Sequence, residues 1–124
     1  MSELVTAMSL EEKIGQMFML AFPGKSVEAA RPMIEDYHVG GCYISDDNAG
    51  TPAEAQALTS QLQEVAMRSG SHGLPLLLGV DQEGTWSVLN PYSTTGPGNL
   101  ALGAAADVDS TRAMYRTFAL EMKG

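Results

Sequence analysis

The residues best placed to do chemistry are two carboxylates, Asp81 and Glu83, which directly follow an apolar run over residues 74–80. An apolar run bounded by turn residues is typical of a strand buried on both faces in a parallel sheet. Parallel α/β folds bind ligands beyond the carboxyl ends of their strands. We therefore predict a ligand site that contains Asp81 and Glu83 at that edge of a sheet.

The pair is open to several interpretations. Asp81 is either a cap for nearby backbone N–H groups or an acceptor for sugar hydroxyls, because an ionised carboxylate accepts charge-assisted hydrogen bonds. The two acids could also be the catalytic pair of a glycosidase, since side chains at i and i+2 of a strand lie roughly 7 Å apart. Glu83 is favoured as a structural residue of the turn. Trp86 could stack on a sugar face or pack the loop, and all three residues form the predicted substrate-binding set.

Composition narrows the function classes. The 124 residues include 44% hydrophobic and 18% charged residues, which is typical of a globular chain. A formal net charge of −8 with 7 scattered basic residues argues against a nucleic-acid partner. No apolar run approaches the roughly 20 residues that cross a bilayer, so we expect no membrane partner. The first residues lack the pattern of a secretory signal, and we predict a cytoplasmic location.

Other residues are assigned structural roles. Cys42 is the one cysteine, lies in an apolar run and is predicted to be buried and unreactive. His38 and His72 are predicted to be solvated or to cap helices, and the eight methionines to pack the core. No metal-ligand spacing and no phosphate-binding glycine motif is present. We therefore expect neither a metal nor a cofactor.

The elements that position the acidic edge follow from local signals. Ser9 and Glu12 form a capping box, Pro32 predicts a late start or a kink in the second helix, and Thr51-Pro52 caps the third. Three helices are predicted before the last strand: 10–16, one after Ser26, and one from Pro52 that Gly70 closes. The predicted strands are 17–22, 39–44 and 74–80. A loop over 82–98 precedes the last part of the chain. Asp107 is predicted to cap a final helix that ends at Gly124. The side chains of this helix that are predicted to face inward are Val108, Tyr115, Phe118 and Met122. This order predicts a parallel sheet.

Four segments resemble the N-terminal part of glycoside hydrolase family 3. They are LPLLLGVDQEG at 74–84, GPGNLALGA at 96–104, SLEEKIGQMF at 9–18 and VGGCYI at 39–44. The Val-Asp-Gln-Glu-Gly form is most similar to the β-N-acetylhexosaminidase branch rather than to the β-glucosidases. In that branch the glycine is usually followed by arginine, whereas Gly84 is followed by Thr85 and Trp86.

The resemblance implies an α/β fold made of the first three βα units of a (β/α)8 barrel. Such a barrel typically needs about 250 residues, so residues 1–124 would be the N-terminal part of one barrel domain, incomplete in this chain. The parent enzyme would be a retaining glycoside hydrolase of terminal β-linked N-acetylhexosamine, or of the β-glucosidase type, with Asp81 binding the non-reducing sugar.

By the same resemblance the nucleophile and the proton donor lie beyond Gly124. We therefore predict that the 124-residue chain alone is inactive and that it contains no catalytic residue. Its expected partners are a carbohydrate substrate and either a second copy or the missing half of the barrel. The alternative function is a non-catalytic open α/β module that binds a ligand or another protein.

Overall fold

The computed structural model describes residues 2–69, 71–89 and 91–123. Within these ranges the chain forms six α-helices and three β-strands. The helices are α1 (Ser2–Ala7), α2 (Leu10–Gly15), α3 (Arg31–Glu35), α4 (Pro52–Ser69), α5 (Asn99–Ala105) and α6 (Val108–Lys123). The strands are β1 (Met19–Ala21), β2 (Gly41–Ile44) and β3 (Leu77–Val80). The chain divides into two compact units, Met1–Val80 and Asp81–Gly124.

The first unit is built on a parallel sheet with the strand order β1-β2-β3. Met19 lies opposite Gly41, which in turn lies opposite Leu77. α3 connects β1 to β2, and α4 connects β2 to β3. The predicted parallel order is therefore confirmed, although each strand is shorter than the sequence suggested.

Local caps start the helices as predicted. At α2 the Ser9 N–H donates to Glu12 Oε2 at 2.7 Å, and the Glu12 N–H donates to Ser9 Oγ at 3.1 Å. α3 starts late, at Arg31, after a 3-10 turn over Val27–Ala29. Pro32 then lies in the first turn of α3. Backbone N–H groups in a first turn make no hydrogen bond within the helix, so the N–H that proline lacks is not needed there. The predicted late start is confirmed.

One face of the sheet carries the core of this unit. Cys42 and Ile44 of β2 are buried against the helices. The core also contains apolar side chains of the connecting segments and of both crossover helices: Phe22, Ala30, Ile34, Val39, Leu58, Leu62, Val65, Ala66 and Leu76. Burial raises the pKa of the Cys42 thiol to about 11, as expected for an unreactive cysteine.

The opposite face of the sheet is open within this unit. Leu77 is 71% exposed and Met19 is also exposed. The Met19 side chain lies over glycines of the other two strands, since a Cβ on Gly41 would be 2.9 Å from Met19 Cε and a Cβ on Gly79 would be 2.7 Å from Met19 Sδ. The prediction of a third strand buried on both faces is therefore wrong for this unit, because its helices cover only one side of the sheet.

The third strand also starts later than predicted, at Leu77. Both backbone groups of Leu76 are bonded to the Gln63 side chain, whose Oε1 accepts the Leu76 N–H and whose Nε2 donates to the Leu76 carbonyl, each at 2.9 Å. A side chain of α4 thus takes the place of a strand partner at Leu76.

The second unit contains α5 and α6. As predicted, Asp107 caps α6, since its Oδ1 accepts the Asp109 N–H at 3.0 Å. α5 was not predicted as a helix, and neither was α1 in the first unit. The inward orientation is correct for Phe118 but wrong for Val108 and Tyr115, which are exposed. Among the described residues of α6, Phe118 is the buried one.

The prediction that the methionines pack the core is corrected in part. The exposed side chains of Met17 and Met67 do not pack it. Gly70 and Gly124, the predicted ends of α4 and α6, lie outside the described residues. Among the residues that the structure describes, no helix is both long and apolar enough to cross a bilayer.

Candidate functional site

Asp81 is the first residue beyond β3, because that strand ends at Val80. Its side chain is exposed, and its carbonyl oxygen accepts the Val88 N–H at 3.5 Å. The residue therefore lies after the carboxyl end of a parallel strand, as the sequence predicted.

Residues 82–87, called the site loop below, fold back on themselves. Gln82 and Ser87 form an antiparallel bridge, and inside it the Glu83 N–H donates to the Trp86 carbonyl at 2.8 Å. The Glu83 side chain is exposed, and Trp86 is 38% exposed. The structure thus brings Glu83 and Trp86 together across one tight loop that starts next to Asp81.

Gly84 determines the shape of the site loop. It has φ +81°, and a Cβ at this position would lie 2.5 Å from the Pro97 carbonyl oxygen. Its N–H donates to Gln82 Oε1 at 3.0 Å, and its carbonyl accepts the Gly96 N–H at 2.8 Å. Both the backbone conformation and the close approach require glycine here.

Two buried residues anchor the end of the site loop. Ser87 and Val88 are buried, and Ser87 Oγ accepts the Leu89 N–H at 3.3 Å. Neither was singled out from the sequence, where the only signal was an apolar pair, Val88 and Leu89, in a polar segment. The partly exposed Trp86 is therefore followed directly by two buried residues.

A contact with α6 also holds the segment that returns from the site loop. The Thr94 N–H donates to Glu121 Oε2 at 3.0 Å, and the Thr94 hydroxyl donates to Glu121 Oε1. These hydrogen bonds, first from the Thr94 side chain and then from its backbone, hold the pKa of the Glu121 carboxyl below its ordinary value of 4.5. Sequence reasoning missed this pair, because the two residues are 27 positions apart.

The two histidines lie in the first unit. His72 Nε2 is 3.4 Å from Glu12 Oε2. His38 follows α3 in the left-handed conformation with φ +54°, and its Nδ1 is buried without a hydrogen-bond partner. Its expected place after a helix is confirmed, and its side chain is only partly exposed.

The chemistry that this arrangement offers is hydrogen bonding and stacking. Carboxyl groups such as those of the exposed Asp81 and Glu83 accept hydrogen bonds from hydroxyl groups, and an indole such as that of the partly exposed Trp86 can stack on a ring. No group of three or more metal-binding side chains occurs in the described ranges 2–69, 71–89 and 91–123.

Comparison with known proteins shows what this chain is similar to. The family model described as the glycosyl hydrolase family 3 N terminal domain matches residues 9–124. A solved structure of a glycoside hydrolase family 3 β-N-acetylglucosaminidase from Paenibacillus sp. str. FPU-7 is similar, with a TM-score of 0.82 and 35% sequence identity. The match covers 94% of this chain and 22% of that chain. The present chain thus spans less than a quarter of the length of the solved protein.

Proposed function

Because the chain belongs to glycoside hydrolase family 3, we propose that residues 1–124 are the N-terminal part of one barrel domain in a retaining glycoside hydrolase. The N-terminal domain of the family has a (β/α)8-type barrel fold, and the three parallel strands are consistent with part of such a barrel. The proposed substrate is a terminal β-linked N-acetylhexosamine. The similar Paenibacillus protein is a β-N-acetylglucosaminidase, which supports this substrate class.

One observation carries the proposal. The acidic motif starts at the residue that follows the last position of β3, and the strand belongs to a parallel sheet. Carboxyl ends of barrel strands are where substrate-binding side chains of such enzymes lie. A motif at the amino end of β3 would have favoured a structural role instead.

In this proposal the three site residues have different roles. Asp81 accepts hydrogen bonds from hydroxyl groups of the sugar, Glu83 supports the loop and offers a second acceptor, and Trp86 stacks on the ring. We assign no catalytic role to Asp81 and Glu83 as a pair, since the family resemblance places the nucleophile and the proton donor on other segments. The 124-residue chain alone is expected to be inactive.

The open face of the sheet supports a proposal about partners. Leu77 and Met19 are exposed on strands whose other face is covered. Exposed apolar strand faces and unpaired strand edges favour association with other strands. We propose that this face packs against the remaining strands of the barrel, and that a second copy takes their place when they are absent.

The alternative, a non-catalytic binding module, has less support, because the family match extends over residues 9–124. The cytoplasmic location stays a prediction from the sequence.

The test uses the natural protein that contains residues 1–124 and the substrate 4-nitrophenyl N-acetyl-β-D-glucosaminide. Asp81→Ala should lower kcat/KM roughly ten-fold to more than a hundred-fold, because charge-assisted hydrogen bonds to non-reacting hydroxyls stabilise substrate and transition state alike. The melting temperature should stay within the error of the wild type, since Asp81 is exposed.

Glu83→Gln is the matched control, which should cost less activity and should also leave the melting temperature unchanged, since the Glu83 side chain is exposed and its loop contact is made by the backbone N–H. An unchanged kcat/KM with a lower melting temperature for Asp81→Ala would show that Asp81 is a structural cap. Turnover by the isolated 124-residue chain that Asp81→Asn abolishes would instead favour the paired-acid mechanism.

A further inference from the structure

We propose that Glu121 of α6 is a positioning residue that holds the site loop in the form that binds the sugar, acting through Thr94, Gly96 and Gly84. The sugar part of this inference rests on the proposed function. The mechanical part, that Glu121 controls the geometry of the site loop, rests on contacts within the second unit alone.

The first step is the contact between Glu121 and Thr94. Both carboxylate oxygens are used, one by the Thr94 N–H at 3.0 Å and the other by the Thr94 hydroxyl. Hydrogen bonds to an ionised acceptor are roughly twice as strong as neutral ones. A single side chain therefore fixes both the backbone and the side chain of one residue in a segment with no regular secondary structure.

The second step is the packing of the same segment on α6. Met114, Phe118 and Glu121 are spaced at i, i+4 and i+7, which places them on one face of the helix. Gly96 lies against this face, because a Cβ there would be 2.8 Å from Met114 Cε and 3.7 Å from the Phe118 ring. Phe118 is buried. The Glu121 contact thus continues an apolar stripe that locates residues 94–96 along α6.

The third step connects this segment to the site loop. The Gly96 N–H donates to the Gly84 carbonyl at 2.8 Å, and the Pro97 carbonyl leaves no room for a side chain at Gly84. Gly84 is flanked by Glu83 and belongs to the loop that the Glu83–Trp86 hydrogen bond closes. A shift of residues 94–97 must therefore move or release the site loop.

The consequence concerns substrate binding more than stability. A loop that is already held in its binding form loses less conformational entropy when a ligand binds. Removing the Glu121 contact should therefore weaken binding without changing any group that touches the sugar. Because the same loop would be used in the ground state and in the transition state, the effect should be on KM and not on kcat.

The chain provides a specific reporter, because Trp86 is the only tryptophan among its 124 residues. In the 124-residue chain, acrylamide quenching of Trp86 fluorescence should be stronger in Glu121→Ala than in the wild type. The increase should be smaller in Thr94→Val, which removes the Thr94 hydroxyl and keeps its N–H. Glu121→Gln, which keeps an amide oxygen as an acceptor, should be intermediate. Arg112→Ala is the matched control, since it removes a different exposed polar contact of α6, the ion pair with Asp109, and should leave quenching unchanged.

The second measurement uses the natural protein that contains this chain, with 4-nitrophenyl N-acetyl-β-D-glucosaminide as the substrate. Glu121→Ala should raise KM roughly two-fold to ten-fold, because the lost contact acts on binding only through the site loop, while kcat changes less than about two-fold. Circular dichroism at the assay temperature establishes that each variant is folded. If Glu121→Ala does not fold, the two measurements are made on Thr94→Val instead.

The results separate the two parts of the inference. Unchanged Trp86 quenching in folded Glu121→Ala, or in Thr94→Val, overturns the control of loop geometry, whatever the activity. Increased quenching with unchanged KM overturns the positioning role and leaves Glu121 as a purely structural residue. A wild-type protein that shows no turnover would contradict the proposed function, while quenching would still decide whether Glu121 holds the loop.

Discussion

The side-chain amide of Asn48 donates a hydrogen bond of 2.9 Å to the backbone carbonyl of Phe22, and so joins the segment after β2 to the segment after β1. Asn48 is 1% exposed. The same Nδ2 donates to the Gly24 carbonyl at 2.6 Å, while Oδ1 accepts the Ser45 N–H at 2.7 Å. One buried side chain thus satisfies backbone groups of two loops at the carboxyl end of the sheet.

Asn48→Ala should therefore destabilise the protein. The substitution removes this partner from the Phe22 carbonyl, whose contact is buried, and from the Gly24 carbonyl and the Ser45 N–H, whose contacts are partly buried. An unpaired buried group costs roughly 1–3 kcal/mol. We expect a decrease of about 2–4 kcal/mol in the free energy of unfolding, measured by urea denaturation. Asp47→Ala, at the exposed neighbouring position, should change it by less than about 0.5 kcal/mol. Equal effects of the two substitutions would contradict the structural role of Asn48.

Gly84→Ala should destabilise the protein and disturb the site loop. Alanine at positive φ costs about 1–2 kcal/mol, and the 2.5 Å approach to the Pro97 carbonyl adds a clash with backbone that cannot rotate away. Gly24→Ala is the matched control, because Gly24 has φ +71° with no atom within 4 Å of the added Cβ. Thermal melts should show the larger loss for Gly84→Ala, and equal losses would mean that the contact with Pro97 has no energetic effect.

Substitution by alanine should have different effects at the adjacent residues Leu76 and Leu77. Leu76 is 7% exposed and belongs to the core, whereas Leu77 is 71% exposed on the open face of the sheet. Leu76→Ala should cost about 2–5 kcal/mol of unfolding free energy. Leu77→Ala should cost less than about 0.5 kcal/mol and, in sedimentation velocity, should reduce self-association of the 124-residue chain. Unchanged association would mean that other apolar groups, not this face, drive it.

The pKa of the Glu54 carboxyl group should depend on Lys25. The hydrogen bond from Lys25 Nζ, 3.0 Å from Glu54 Oε2, is the main cause that lowers the pKa of Glu54 below 4.5, and the Gly50 N–H adds to it. Because the folded-state pKa is the lower one, the stabilisation is present above pH 4.5 and is lost as the pH falls through the folded-state value.

Lys25→Met should raise the pKa of Glu54, measured by carbon NMR of the carboxyl group, and should weaken the loss of stability on acidification. Salt should reduce the difference between the two proteins, since both side chains are about half exposed. A pKa that stays the same in Lys25→Met would assign the shift to the Gly50 N–H instead.

The sequence by itself determined the features that depend on neighbouring residues. The capping box of Ser9 and Glu12 and the cap at Asp107 join residues two or three positions apart, so their spacing is visible in the order of the amino acids. The order of strands and helices predicted the parallel sheet, and the segments 9–18, 39–44, 74–84 and 96–104 together were sufficient to identify the family. These features are local because a helix start or a strand end is defined by the backbone groups of one turn.

Only the tertiary structure decided the contacts between distant segments. Asn48 bonds Phe22 across 26 positions, and Glu121 bonds Thr94 across 27. Leu76 and Leu77 are the same residue type, yet Leu76 is in the core and Leu77 is on the open face of the sheet. The difference arises because tertiary packing decides which face of the sheet the helices cover. No local pattern carries that information, since polar side chains in loops are equally compatible with solvent until another segment folds against them.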